Sequence, residues 1–234
     1  MLGIFDFIFN RKKYNTLKSV QIDGMRLEYY QDFKDDKDVV LEAVKQNKNA
    51  LQHASDNLKG NKDFILAVVK QDGTALQFAS NELKANREVL LAAVRSRGEA
   101  FEFASEELRG DEEVVLAAVK QDGTALQFAS EELKANREVV LAAVNTNGFA
   151  LKHASEELRG DSTVVLAAVQ QNGYALQFAS EELRGDSKVV LAAAQNLKNI
   201  YFDNSYELIL KYTSPILKND DNFMLAIRQI KRKR

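Results

Sequence analysis

The chain has 234 residues, 45% of them hydrophobic and 28% charged, a make-up ordinary for a soluble, folded protein. It contains no cysteine, which excludes disulfides and thiolate metal sites and suits a reducing, cytoplasmic setting. A formal net charge of −2 argues against a chain made for general phosphate neutralisation.

The first residues, MLGIFDFIFNRKK, are apolar and then basic, the reverse of a secretory signal. As a helix this stretch gathers Leu2, Phe5, Ile8 and Phe9 on one side, followed by Arg11, Lys12 and Lys13. Such a segment suits peripheral membrane contact or docking into a partner's groove. Folding back to cap the first repeat is the competing structural expectation. No apolar run approaches the roughly 18 residues that a membrane span needs.

From residue 36 the chain repeats every 25 residues without a gap. Leu41, Leu66, Leu91, Leu116, Leu141, Leu166 and Leu191 mark one register. Asp36, Asn61, Asn86, Asp111, Asn136, Asp161 and Asp186 mark another, numbered here as position 1 of the unit. Six full units fill 36–185. A worn unit precedes them at 12–35, with Leu17, Val20, Gly24, Leu27, Tyr29 and Phe33 in pattern and one residue missing. A seventh repeat with an insertion occupies 186–234, where YTSPILKNDDNFMLAI matches FASEELRGDSKVVLAA position for position. Divergent end units that cap a stack are what repeat arrays require.

Within a unit, Asp or Asn at position 1 is a helix N-cap, and acids such as Glu113 and Glu138 suit the positive helix end. A helix of about ten residues follows, VVLAAV at its centre, and glycine at position 13 closes it in five of seven copies. Left-handed backbone is the expected reason for that glycine. The alanines at positions 7 and 8 are expected to let neighbouring backbones approach closely. A second, short helix then turns Ala, Leu, Phe and Ala inward. Serine at position 20, followed in most copies by two acids, starts a further turn, either short or 3₁₀. Pro215 directly after Ser214 supports this, since proline is favoured at the first helical position. A single unit cannot bury a core alone, so stacking is obligatory. The fold class expected is all-α: an α-solenoid of 25-residue helical hairpin repeats, one repeat domain over 1–234 with capping units at both ends.

The pattern D-x-x-V-V-L-A-A-V-x-Q-N-G-x-A-L-x-[FH]-A-S-E-E-L-[KR] resembles a helical repeat of bacterial, protist and viral proteins known as domain of unknown function 4116, in units of about fifty residues. The likeness is dense over 36–193 and includes the His-Ala-Ser form at His53–Ser55 and His153–Ser155. It implies a repeat fold and no established activity. The 25-residue length is also similar to that of the leucine-rich variant repeat, which alternates α and 3₁₀ helices.

Chemistry is not where the recurrence points. Ser55, Ser80, Ser105, Ser130, Ser155 and Ser180 share one context, whereas a catalytic serine needs a base and an orienting partner once per site. His53 and His153 stand where Phe78, Phe103, Phe128 and Phe178 stand elsewhere, four units apart, too far to share a metal. No phosphate-binding loop, zinc spacing or calcium loop is present. We therefore expect neither an enzyme nor a cofactor.

Recognition in repeat scaffolds falls to the positions that vary. Positions 10 and 14 flank the turn between the two helices and should form one ridge. It is basic at first, with Lys70, Arg95 and Lys120, then neutral with Gln170 and the aromatic Phe149 and Tyr174. The expected function is a non-catalytic scaffold for a protein or peptide. The alternative is nucleic-acid binding by the basic half-ridge and the KRKR end, but residues 36–185 carry 17 Lys or Arg against 24 Asp or Glu. An array at −7 is a poor phosphate track.

Overall fold

The computed structural model describes residues 2–196 and 205–232, and every regular element among them is helical. The all-α repeat fold expected from the sequence is the one the chain adopts. By proximity the chain divides into two compact units, Met1–Leu108 and Arg109–Arg234.

Each regular repeat is built of three helical segments. In the repeat that opens at Asn136 these are an α-helix Arg137–Thr146, a 3₁₀ helix Gly148–His153 and a one-turn α-helix Glu156–Arg159. Local chemistry starts each of them. Asn136 is extended, and its Oδ1 accepts from the amides of Glu138 and Val139. Position 1 caps in the same way at Asp36, Asn61, Asn86, Asp111, Asp161 and Asp186. Each such cap is worth about 1 kcal/mol. Next, Asn147 accepts from the amide of Phe149 and starts the 3₁₀ segment. Finally, Ser155 Oγ accepts from the amide of Leu158, 3.3 Å away, and starts the one-turn helix. The core is filled by positions 4, 5, 8 and 9 of the long helix, here Val139, Val140, Ala143 and Val144, and by Ala150, Leu151 and Leu158.

The short second helix that opens at position 13 is a 3₁₀ helix, and the serine-led segment, expected to be short or 3₁₀, is a single short α-turn, except at Leu183–Gly185, where it is 3₁₀. A 3₁₀ helix turns every three residues, so in the repeat that opens at Asn136 it stacks Gly148 over Leu151, and both are buried. The aromatic at position 18 is only half-buried, not turned fully inward. Nor does any described glycine have a positive φ, so left-handed backbone is not the reason for position 13.

The reason is a close approach between repeats. In Met1–Leu108, a Cβ on Gly24 would stand 2.1 Å from the carbonyl oxygen of Ala43, and one on Gly73 would stand 2.1 Å from that of Ala93. In Arg109–Arg234 the same holds for Gly123 against Ala143, at 2.3 Å, and Gly148 against Ala168, at 2.4 Å. Position 13 is thus pressed on the long helix of the next repeat, at position 8. Alanine at position 8 is fully buried in that seam, whereas position 7 lies on the half-exposed side and takes no part. In the repeat that opens at Asp36, Lys48 stands in place of the glycine and Val68 stands at position 8 opposite; Lys48 Nζ reaches out to Asp72, 3.4 Å away.

A second join recurs at position 20. The amide of the serine donates to the carbonyl of position 24 in the preceding repeat. Ser55 donates to Lys34 and Ser80 to Lys59 in the first unit. In the second, Ser130 donates to Arg109, Ser155 to Lys134, Ser180 to Arg159 and Ser214 to Arg184, at 2.8–3.0 Å.

Both worn flanks obey these rules. Val20, Leu27 and Phe33 are buried in the first, although Tyr29 is 76% exposed. In the last, Ser214 caps the one-turn helix Pro215–Lys218, and Phe223 and Ile227 are buried. The N-terminal stretch does not fold back. It runs straight into the first repeat's long helix as one element, Leu2–Ile22.

Two glycine substitutions separate close approach from flexibility. Gly123→Ala is expected to lower stability in denaturant titration by about 1–3 kcal/mol, the cost of overpacking. Gly60→Ala is expected to be neutral or to add up to about 1 kcal/mol, because its φ of −94° is ordinary and its nearest contact lies at 3.4 Å. Ala85 and Ala135 already occupy that position in other repeats.

Candidate partner-binding surface

The recurring polar residues are absorbed by the framework. Each serine Oγ is an acceptor for the amide three residues on, at 3.1–3.4 Å, and the serine amides described above each join two repeats. No group of three or more His, Cys, Asp or Glu among the described residues could hold a metal ion. No described helix is long and apolar enough to cross a membrane.

The varying positions fall on both units. Lys70 and Arg95 are exposed in the first unit; Lys120 and Gln170 are exposed in the second. The hydrogen-bonded Lys62, and after it Lys70, hold the Glu88 carboxyl below the usual range. In the second unit Phe149 is 37% exposed and Tyr174 half-buried. Phe149 meets Phe178 edge-to-face, with ring centroids 6.0 Å apart at 77°. The aromatic patch is therefore built from positions 14 and 18 of successive repeats, and Phe178 belongs to it. Sequence reasoning missed Phe178 because it treated position 18 as core.

A constant, half-exposed pairing also escapes a search for variation. Position 24 is basic in every repeat and only half-buried. In the second unit the Arg109 guanidinium lies 5.8 Å from the ring of Phe128, a cation–π contact with position 18 of the next repeat. Lys134 stands close enough to His153 to oppose its protonation. The signal available in the sequence was the [FH] and [KR] classes recurring where the core did not demand them.

At the N-terminus Lys12 and Lys13 are already engaged. Lys12 pairs with Asp32, and Lys13 lies 2.8 Å from both Asp36 and Asp38, which raise its pKa. Ile8 and Phe9 are exposed, and the Phe9 ring rests 5.3 Å from that of Phe33. The side chains of Leu2 and Phe5, and those of the KRKR end, lie outside the described residues, as does most of the insertion around 197–207.

The sequence model described as Domain of unknown function (DUF4116) matches four consecutive stretches, 16–59, 61–109, 111–159 and 161–209. The chain belongs to this family. Three of the four DUF4116 matches open on a position-1 cap, at Asn61, Asp111 and Asp161, so one DUF4116 domain spans two structural repeats. The break between the two compact units, after Leu108, falls at the junction of the second and third DUF4116 domains. No curated protein and no solved structure matches the chain.

The histidine form of the DUF4116 repeat carries a pH dependence. Burial, then Lys152 and Lys134, hold the His153 pKa below its ordinary 6.5. The unfolded chain therefore binds the proton more readily, so the native state keeps its full stability above that value and loses it as pH falls. Denaturant midpoints measured from pH 7 to pH 5 are expected to fall less for His153→Phe than for the native chain. Parallel curves would contradict this.

Proposed function

We propose that this DUF4116 protein is a non-catalytic scaffold that presents its second unit to a protein or peptide partner. The observation that carries the reading is the surface ring pair Phe149–Phe178, with Tyr174 in the same repeat as Phe178. Exposed aromatics that are held rigidly lose little entropy on docking and are enriched among the residues that dominate interface energy. The recurring serines are engaged as caps through Oγ and as repeat joins through their backbone amides, which supports a binding role over a chemical one. Cytoplasmic residence belongs to the same proposal and draws its support from the cysteine-free composition.

Nucleic-acid binding is the competing reading, through Lys70, Arg95, Lys120 and the basic C-terminus. The surplus of acids over 36–185 weighs against it. Affinity capture from the source cells, read by quantitative mass spectrometry with and without nuclease, separates the two. The native chain is expected to retain nuclease-resistant proteins, and Phe149→Ala with Tyr174→Ala to deplete them about tenfold or more. Unchanged recovery in the double variant would sink the patch, and capture abolished by nuclease would favour the nucleic-acid reading.

A further inference from the structure

The last repeat departs from its predecessors in charge but not in backbone. Regular repeats mostly carry acids at positions 21 and 22, beside the basic residue at 24. There an acid can neutralise the base: Lys134 Nζ lies 2.8 Å from Glu131, and Lys59 Nζ 3.9 Å from Asp56. The C-terminal copy reads TSPILK, with Pro215 and Ile216 in place of both acids. Ser214 still caps Leu217 and still donates to the Arg184 carbonyl, 3.0 Å away. The exchange therefore removes negative charge and leaves the join intact.

A pocket of about 210 Å³ opens where that exchange occurs. Its wall carries three cations, Arg184, Lys211 and Lys218, the hydroxyl-bearing Tyr212 and Ser214, and a single carboxylate, Glu181. The formal balance is +2. None of the three cations makes an ion pair with a described residue; Lys211 only lies over the Tyr212 ring, 5.6 Å from its centroid. The Nε of Arg184 is buried without a hydrogen bond. A buried donor left unsatisfied is costly, and it calls for a partner that the fold does not supply. Arg159 has a similarly buried Nε, but it is followed by a repeat that keeps both acids, Glu181 and Glu182. Ile216, 85% exposed, stands next to the pocket residue Pro215 and offers an apolar contact to whatever carries the anion.

We propose that this pocket is an oxyanion site, taking a carboxylate or phosphate group between Arg184, Lys211 and Lys218. The site stands on its own cations and does not depend on the aromatic patch. The full chain, isotopically labelled, is titrated with inorganic phosphate and, separately, with acetate at matched ionic strength, and amide resonances are followed. Saturable shifts are expected at Arg184, Tyr212, Ser214 and Lys218 with at least one probe. Saturation by phosphate alone assigns a phosphate-bearing ligand, whereas saturation by acetate assigns a carboxylate. Arg184→Gln and, independently, Lys211→Gln should each weaken the response about tenfold or more, the effect of losing a charge-assisted hydrogen bond. Lys120→Gln, remote in sequence and outside the pocket, should leave it unchanged. Shifts that do not saturate with either probe, or that persist in both pocket variants, would overturn the assignment.

Discussion

Where glycine stands at position 13, one repeat is fixed against the next by a contact that leaves no room for a side chain. The glycine at position 13 lies against the position-8 carbonyl of the following long helix, and a methyl group there would stand 2.1–2.4 Å from the oxygen. At the other end of the repeat, the position-20 amide donates to the position-24 carbonyl of the repeat before. Two joins per repeat, one steric and one hydrogen-bonded, set the spacing and leave each long helix covered at positions 4, 5, 8 and 9. The apolar core follows from that spacing, because no single repeat encloses enough surface to be stable alone.

The joins also decide which residues are left for function. The serines and position-1 caps recur because every repeat must be started and fastened, and they are spent on doing so. Position 18, position 24 and the varying position 14 are not consumed in this way. In the second unit they yield a ring pair, Phe149 on Phe178, and a cation over a ring, Arg109 on Phe128. Where the framework changes at Pro215 and Ile216, Lys218 loses the acids of its own repeat, and a pocket is lined by Arg184, Lys211 and Lys218. Repetition thus provides a neutral background against which local departures become sites.

Much of this was legible in the sequence because it is local. An N-cap acts within three residues, so Asp36, Asn61 and their counterparts could be assigned from type and spacing alone. Ser214 followed by proline located a helix start for the same reason. The glycine at position 13 was conspicuous, but its cause lies about twenty residues away on another helix and carries no local mark. Phe178 was misplaced because an aromatic between alanines looks like core, and only the tight turn of a 3₁₀ helix leaves it at the rim. The pairing of Lys12 and Lys13 with Asp32, Asp36 and Asp38 could not be read locally, because the acids lie at least about twenty residues further along the chain.

The recurring serine fastens repeats together. Its amide sits in extended backbone between two short helical segments, where a solvent-exposed N–H would exchange freely. Native-state hydrogen exchange of the full chain measures this directly. Protection of the Ser130, Ser155 and Ser180 amides comparable to that of core amides such as Val140 and Val165 is the predicted result. Exchange at those serines near the rate of an unstructured chain, with the long helices still protected, would contradict the account.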